Sequence, residues 1–308
     1  MSGAKIRIGK YELGERIARG GMADVYLARL PLGGNRMVAL KVLREDFSDD
    51  PTYVAMFIDE AKLLAKLVHP SMVQVYESGE HDGRHFLAME LLIGDSLQRV
   101  WDAFHDHGLK IPYAVSAWMG ARVAEGLHHA HELRDETGRI ENVVHRDVNP
   151  SNVQVTFDGR IKIIDFGLAR SDSRSSKTAA GIVKGKLAYL SPEQIEGQPP
   201  DRRADIFALG TTLWEVTVDR RLFKREGDLD TVRAIQKCEV PDPRTLVADY
   251  PSGLWQVVGR ALARDPRARY QTAAEMANDL EGYVRGLGTE VTGATISKLM
   301  GQMCAWAT

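Results

Sequence analysis

The chain has 308 residues, 44% hydrophobic and 27% charged, with a formal net charge of −2. This is ordinary globular composition, long enough to divide its core between two lobes, and a charge so near neutral gives no electrostatic footprint for nucleic acid or a membrane surface. Two distant cysteines, Cys238 and Cys304, point to free thiols in a reducing, cytoplasmic compartment, and the chain contains neither a signal-peptide stretch nor an apolar run long enough to span a bilayer.

In chain order, "YELGERIARGGMADVYLARL" and "RMVALKVL" are β-branched and aromatic runs broken by glycine, the pattern of hairpin strands. "DDPTYVAMFIDEAKLLAKLVHP" follows as one helix, with Asp49 or Asp50 as its cap and Pro51 in its first turn. Val54, Phe57, Ile58, Ala61, Leu64 and Val68 recur at helical spacing and predict its buried face. "SMVQVYESGEHDGRHFLAMELL" returns to strands about the turn His81-Asp82-Gly83. Beyond residue 93 helices dominate, and "YAVSAWMGARVAEGLHHAHEL" and "ADIFALGTTLWEVTV" are apolar on most sides, as buried helices are. Strands first and helices afterwards predict an α+β pair of lobes, not an alternating doubly wound sheet. Trp214 and Trp255 are expected in the core, the arginines of "DRRADI" and "VDRRLFKRE" on solvated faces, and the histidines of "HHAH" in helix packing or facing solvent, not on a metal. "RDETGRIEN" is expected to form a surface turn about Gly138. Ile296, Leu299, Met300 and Met303 form an apolar stripe in the tail that would pack on the large lobe, a partner surface being the alternative.

Five separated motifs carry chemistry. "IARGGMADVYLAR" is a glycine-bearing hairpin whose backbone N–H groups could approach phosphate oxygens, although an ordinary β-turn fits these residues as well. "VALK" places Lys41 in an apolar strand, where an ammonium is costly unless paired, and Glu60 on the following helix is the available partner. In "VVHRDVNPSNVQV", Asp147 can take the proton of an attacking hydroxyl, and Asn152 can offer an amide oxygen to a metal. In "IKIIDFGLAR", Asp165 ends an apolar strand before a Phe-Gly turn, a hard oxygen donor suited to Mg²⁺ shared with phosphates. In "GKLAYLSPEQ", Glu193 has Arg269 of "ARDPRARY" as its expected ion partner.

In this order the motifs resemble the eukaryotic-type protein kinases, specifically bacterial serine/threonine kinases, over about residues 9 to 285. The resemblance implies a two-lobed protein kinase fold: a lead-in at 1–10, a small, mostly antiparallel β lobe with one helix at 11–92, a large, mostly helical lobe at 93–285, and a tail at 286–308. It implies ATP between the lobes with Mg²⁺, or Mn²⁺ as an alternative, and transfer of the γ-phosphate to Ser or Thr of a protein substrate. Asp147, Lys41, Glu60 and Lys186 would be catalytic. Ile17, Gly20, Val25, Ala39, Lys41, Met89, Glu90, Leu92 and Gln154 would surround the nucleotide, with Met89 as gatekeeper, and Asn152 and Asp165 would hold the metal. Asp205 would anchor the catalytic loop, and Leu64, Val75, Phe166 and His145 would stack as a hydrophobic spine. Ser171, Ser173, Ser175, Ser176 and Thr178 are candidates for autophosphorylation, for which a homodimer would serve, and Arg146 is a natural receiver of the phosphate.

The chain departs from the family pattern at four places. Asn149 stands where these kinases carry a lysine that touches the transferred phosphate, and Lys186 stands where they carry a threonine facing it. Lys186 is therefore expected to supply its ammonium near Asp147 from the opposite loop. Gln154 replaces an apolar floor under adenine, and the glycine loop retains only Gly20 of three glycines, with Ala18 and Ala23 at the others. These departures leave a pseudokinase or nucleotide-binding scaffold as the alternative function.

Overall fold

The computed structural model describes residues 6–31, 34–166 and 186–306, so the phosphorylation candidates Ser171, Ser173, Ser175, Ser176 and Thr178 lie outside the described residues. The described residues form two compact units that divide between Leu92 and Ile93.

The first unit is built on a six-stranded antiparallel sheet. Its strands are β1 (Arg7–Ile8), β2 (Tyr11–Arg19), β3 (Ala23–Leu30), β4 (Arg36–Leu43), β5 (Val75–His81) and β6 (Arg84–Glu90), in the order β1-β2-β3-β4-β6-β5. The stretch expected as a lead-in thus contains the edge strand β1. Opposed residues share a face of a pleated sheet. Tyr26 faces Leu40, Leu40 faces Ala88 and Val42 faces Phe86. With Ile8, Tyr11, Ala28 and Val38 these residues make the core of one face. The other face carries Val25 opposite Lys41, Leu27 opposite Ala39, and Leu87 and Met89 opposite Lys41 and Ala39.

Two helices occur here where one was expected. A single turn, α1 (Glu45–Ser48), precedes α2 (Pro51–Lys66). Asp50 caps α2 by accepting from the Thr52 N–H at 2.8 Å, with Pro51 in the first turn, where its missing N–H costs nothing. Phe57, Glu60, Ala61, Leu63 and Leu64 are its buried residues. Val68 does not belong to this face: α2 ends at Lys66, and Val68 is 63% exposed while Leu67 is buried in its place. The irregular backbone after the helix rotates the side chains out of the 3.6-residue pattern.

The second unit contains a three-stranded sheet, β7 (Gly94–Ser96), β8 (Val153–Thr156) and β9 (Ile161–Ile163), and the helices α3 (Leu97–Asp106), α4 (Tyr113–His131), α5 (Pro192–Ile195), α6 (Arg202–Val218), α7 (Asp228–Lys237), α8 (Ser252–Ala261), α9 (Ala273–Gly286) and α10 (Gly293–Trp306). Helix α6 is buried from Ala204 to Val218, and α4 along most of its length, as their all-round apolar sequences predict. Trp214 is in the core, but Trp255 is only half-buried, its indole lying over Gly259. "RDETGRIEN" is a turn about Gly138, whose φ is +82°, with Asp135 accepting from the Thr137 and Arg139 N–H groups. Helix α10 buries Ile296, Leu299 and Met300, and Trp306 stacks on His107 at 4.4 Å between ring centroids. Gly159 admits its start: a Cβ there would lie 2.0 Å from the Gly293 carbonyl oxygen.

Candidate active site

In the first unit, strand register carries Lys41 onto the face opposite the sheet's own core. Its Nζ lies 2.8 Å from Glu60 Oε1, and both residues are buried. A buried ammonium needs such a partner, because desolvation otherwise drives it neutral. Val25, Ala39, Lys41 and Met89 share this face through their pairings. Ile17 lies at a bulge of β2, between the pairs Arg16–Tyr26 and Ala18–Val25, and is 47% exposed. At the hairpin tip, the Gly20 N–H donates to the Ala23 carbonyl at 2.8 Å, and a Cβ on Gly20 would sit 2.8 Å from that same oxygen. The one literal glycine of the loop is thus sterically required. Glu90 spends both its N–H and its carboxylate on the backbone of Gln74, and Leu92 closes the unit half-buried.

In the second unit, the catalytic-loop residues are held by a buried carboxylate far along the chain. Asp205 on α6 accepts the backbone N–H of His145 at 2.8 Å and of Arg146 at 2.9 Å, and bonds His131 Nε2 at 2.9 Å. Burial pushes the Asp205 carboxyl up, but His131 and these donors outweigh it and hold the carboxyl below its ordinary range. The clamp supports a left-handed backbone at Arg146, φ +65°, a conformation that costs a non-glycine residue energy. His145 is fully buried, and burial lowers its pKa, so the ring is neutral at neutral pH. Its Nε2–H donates to the Ile164 carbonyl at 3.2 Å, and its Nδ1 accepts the Asp147 N–H at 3.2 Å, so a single tautomer serves both bonds. Phe166 packs on this ring, with centroids 4.4 Å apart. In the first unit, the spine candidates Leu64 and Val75 are both buried.

Asn152 Nδ2 donates to Asp147 Oδ2 at 2.8 Å and to the Asp147 carbonyl at 2.7 Å. A planar amide with its nitrogen so engaged turns its oxygen the other way. The Asn152 carbonyl accepts the Ile164 N–H at 3.0 Å, which ties Asn152 to the residue before Asp165. Asp165 is exposed, with φ +54°. One amide oxygen and one carboxylate fit Mg²⁺, which takes few protein ligands and completes its shell with water and phosphate oxygens. Among the described residues no cluster of three or more His, Cys, Asp or Glu side chains forms a metal cage, so a metal here would need such outside oxygens. Lys186 Nζ donates to Asp147 Oδ2. Gln154 is half-buried on β8, opposite Ser96 and Lys162.

A family model described as the protein kinase domain matches residues 11–280. The chain belongs to the protein kinase family. It is 41% identical over 90% of its length to a protein named tyrosine-protein kinase MasK from Myxococcus xanthus, covering 43% of that protein. It is 37% identical over 88% of its length to serine/threonine-protein kinase PknB of Mycolicibacterium smegmatis, covering 42% of it. The chain therefore spans less than half the length of these curated relatives. The solved kinase domain of Mycobacterium tuberculosis PknI superposes with a TM-score of 0.67 at 26% identity, covering 92% of this chain and 99% of that one.

In this kinase domain, Glu193 and Arg269 form a two-armed ion pair, with Nη1–Oε1 at 2.7 Å and Nη2–Oε2 at 2.8 Å. Burial raises the Glu193 carboxyl, but the guanidinium fork outweighs it and leaves the pKa lowered. Three contacts were not anticipated from the sequence. His131 of "HHAH" is fully buried on Asp205, not solvent-facing. Arg221 of "VDRRLFKRE" is not on a solvated face alone: it donates to Glu215 at 3.0 Å and to Tyr189 Oη at 2.8 Å. Arg202 of "DRRADI" bonds Glu132 at 2.5 Å. For Arg221 the glutamate at 215, in a helix whose other charges lie in its first turn, was the available signal, since a buried acid must have partners.

Proposed function

We propose that this domain transfers the γ-phosphoryl group of ATP to protein Ser or Thr hydroxyls. The wiring of Asp147 carries the reading: a carboxylate held at both its own oxygen and its backbone by Asn152, on a turn clamped by Asp205. A scaffold without chemistry has no use for a carboxylate oriented so closely. In the step, the acceptor hydroxyl oxygen bonds to the γ-phosphorus and the bond to the β-bridging oxygen breaks. ADP leaves with that electron pair, and the hydroxyl proton passes to Asp147. Lys41, held by Glu60, would meet the α- and β-phosphates, and Asn152 and Asp165 would hold Mg²⁺, or Mn²⁺ in its place. When bound, the cation would offset phosphate charge.

Ser and Thr as acceptors are supported by the names of relatives such as PknB. Tyrosine is a second reading, favoured by the name of the Myxococcus relative at 41% identity. The proposal includes a cytoplasmic catalytic domain and autophosphorylation between Ser171 and Thr178, aided by homodimer formation. The test is transfer from labelled ATP and Mg²⁺ to the protein itself and to a generic basic protein, with phosphoamino-acid analysis. Label on Ser or Thr that disappears in Asp147→Asn is expected. Label on Tyr alone would replace the first reading with the second, and no transfer by folded protein would leave a scaffold.

A further inference from the structure

Asn149 stands at the position from which a lysine would reach the transferred phosphate, and its side chain is fully engaged elsewhere. It is 3% exposed. Its Nδ2 donates to the Asp147 carbonyl at 2.8 Å, and its Oδ1 accepts the Ser151 N–H at 3.0 Å, capping the turn Pro150–Asn152. It carries no charge and turns both polar atoms inward. Lys186, 39 residues after Asp147, places its ammonium on Asp147 Oδ2, the oxygen that also accepts from Asn152. Its side chain is 36% exposed, whereas that of Asp147 is 8% exposed, so the carboxylate is fixed and the ammonium keeps freedom to turn. The backbone that delivers Lys186 is anchored just beyond it, where Tyr189 Oη donates to the buried Glu215 at 2.7 Å and accepts from Arg221.

We propose that Lys186 is the catalytic lysine of this domain, contacting the transferred phosphoryl group from the loop opposite Asn149. The inference rests on the phosphotransfer reading above. As the acceptor oxygen bonds to phosphorus and ADP departs with its electron pair, negative charge spreads over the three equatorial phosphoryl oxygens. The proton goes to Asp147, the group Lys186 already touches, so the ammonium is one hydrogen bond from the reacting hydroxyl. From there it stabilises developing charge without having to be assembled during the step. A simple counter-ion would behave in the opposite way: it would hold Asp147 in the resting enzyme, and its removal would leave turnover unchanged or faster.

The experiment compares steady-state phosphorylation of a generic basic protein by wild type, Lys186→Ala, and Lys186→Ala with Asn149→Lys. Lys186→Ala is expected to lower kcat by roughly 10²–10³-fold, the loss typical of one preorganised donor, with the KM for ATP within about threefold of wild type. Returning a lysine at position 149 is expected to recover at least about tenfold of that loss. Methylammonium added to Lys186→Ala is a second route to recovery that leaves the Asn149 cap intact. Unchanged turnover in Lys186→Ala overturns the proposal. So does a loss confined to KM, or a loss that neither the folded double variant nor methylammonium reverses. A wild-type protein without transfer would instead overturn the phosphotransfer reading on which the proposal rests.

Discussion

Lys41 and Asp147 are both buried charged residues, and the two units hold them by different means. Lys41 lies on a strand, where the two-residue period decides its face and the pairing with Leu87 decides its height. Glu60, on a helix capped and packed independently, then decides where the ammonium points. Asp147 has no such lattice. It lies on an irregular turn, and its backbone direction depends on Asp205, which bonds His145 across 60 residues of chain. A site residue in a regular element inherits its placement from repeating backbone bonds. One in a loop needs a buried polar group to replace them, and losing that group costs the fold as well as the chemistry.

The largest expected effect follows from that difference. Asp205→Ala strands the buried backbone N–H of His145, the part-buried N–H of Arg146 and the buried His131, at about 1–3 kcal/mol for each unpaired group. It should lower stability by more than about 3 kcal/mol in urea unfolding and abolish transfer. A variant that retained both would show that the loop holds its own shape. Lys41→Met combined with Glu60→Leu is the counterpart in the first unit. Replacing a buried ion pair by apolar residues of similar size is often nearly neutral for stability. Unfolding should therefore change by less than about 1 kcal/mol while turnover falls at least about 10²-fold. A large loss of stability there would erase the contrast.

Glu193→Gln tests a third buried anchor through pH. The folded pKa of Glu193 lies below its ordinary 4.5. Its stabilising contribution is therefore fully present above that value and is lost as pH falls through the folded value. The variant should be less stable at pH 7, by about 1.5–3 kcal/mol for weakened bonds to a charged group. Below about pH 4.5 it should lose less stability on acidification than wild type does. Parallel acid limbs in urea-unfolding series would contradict this. The smallest effect is expected at Gln154→Leu, where an apolar floor should lower the KM for ATP by about threefold, near the worth of one buried methylene. A higher KM would mean that the Gln154 amide makes a specific contact.

Much of the candidate site was legible because its chemistry sits beside turns and strands with strong local signatures. Lys41 and Glu60 could be paired from an apolar strand followed by an amphipathic helix, and Asp147, Asn152 and Asp165 from their spacing. Glu193 with Arg269 was legible through the family resemblance of the Ser-Pro-Glu segment. The partners of Asp205 were less so, because His131 belongs to a helix whose periodicity says only that it is buried. Arg221 and Glu215 lie six residues apart and bond directly, and both also bond Tyr189, a contact that no local pattern encodes. Val68 was assigned to the helix face because periodicity does not mark the point at which a helix stops. Asn149 read as a loss, since a missing charge is visible in a sequence and a cap made by an amide is not.

The sequence by itself determined the α+β class and the types of groups available for chemistry, which follow from local periodicity, turn residues and spacing, and it pointed to the family through the resemblance of its ordered motifs. Beyond the pairs Lys41–Glu60 and Glu193–Arg269, only the tertiary structure decided which buried polar groups meet. It gave Asp205 its bond to His131, turned that ring inward and bound both polar atoms of Asn149. Apart from the local bonds of Asn149, these are contacts across long stretches of chain. Each such group is costly to remove from water alone and is tolerated only beside its partner, and that pairing is settled only when the helices pack.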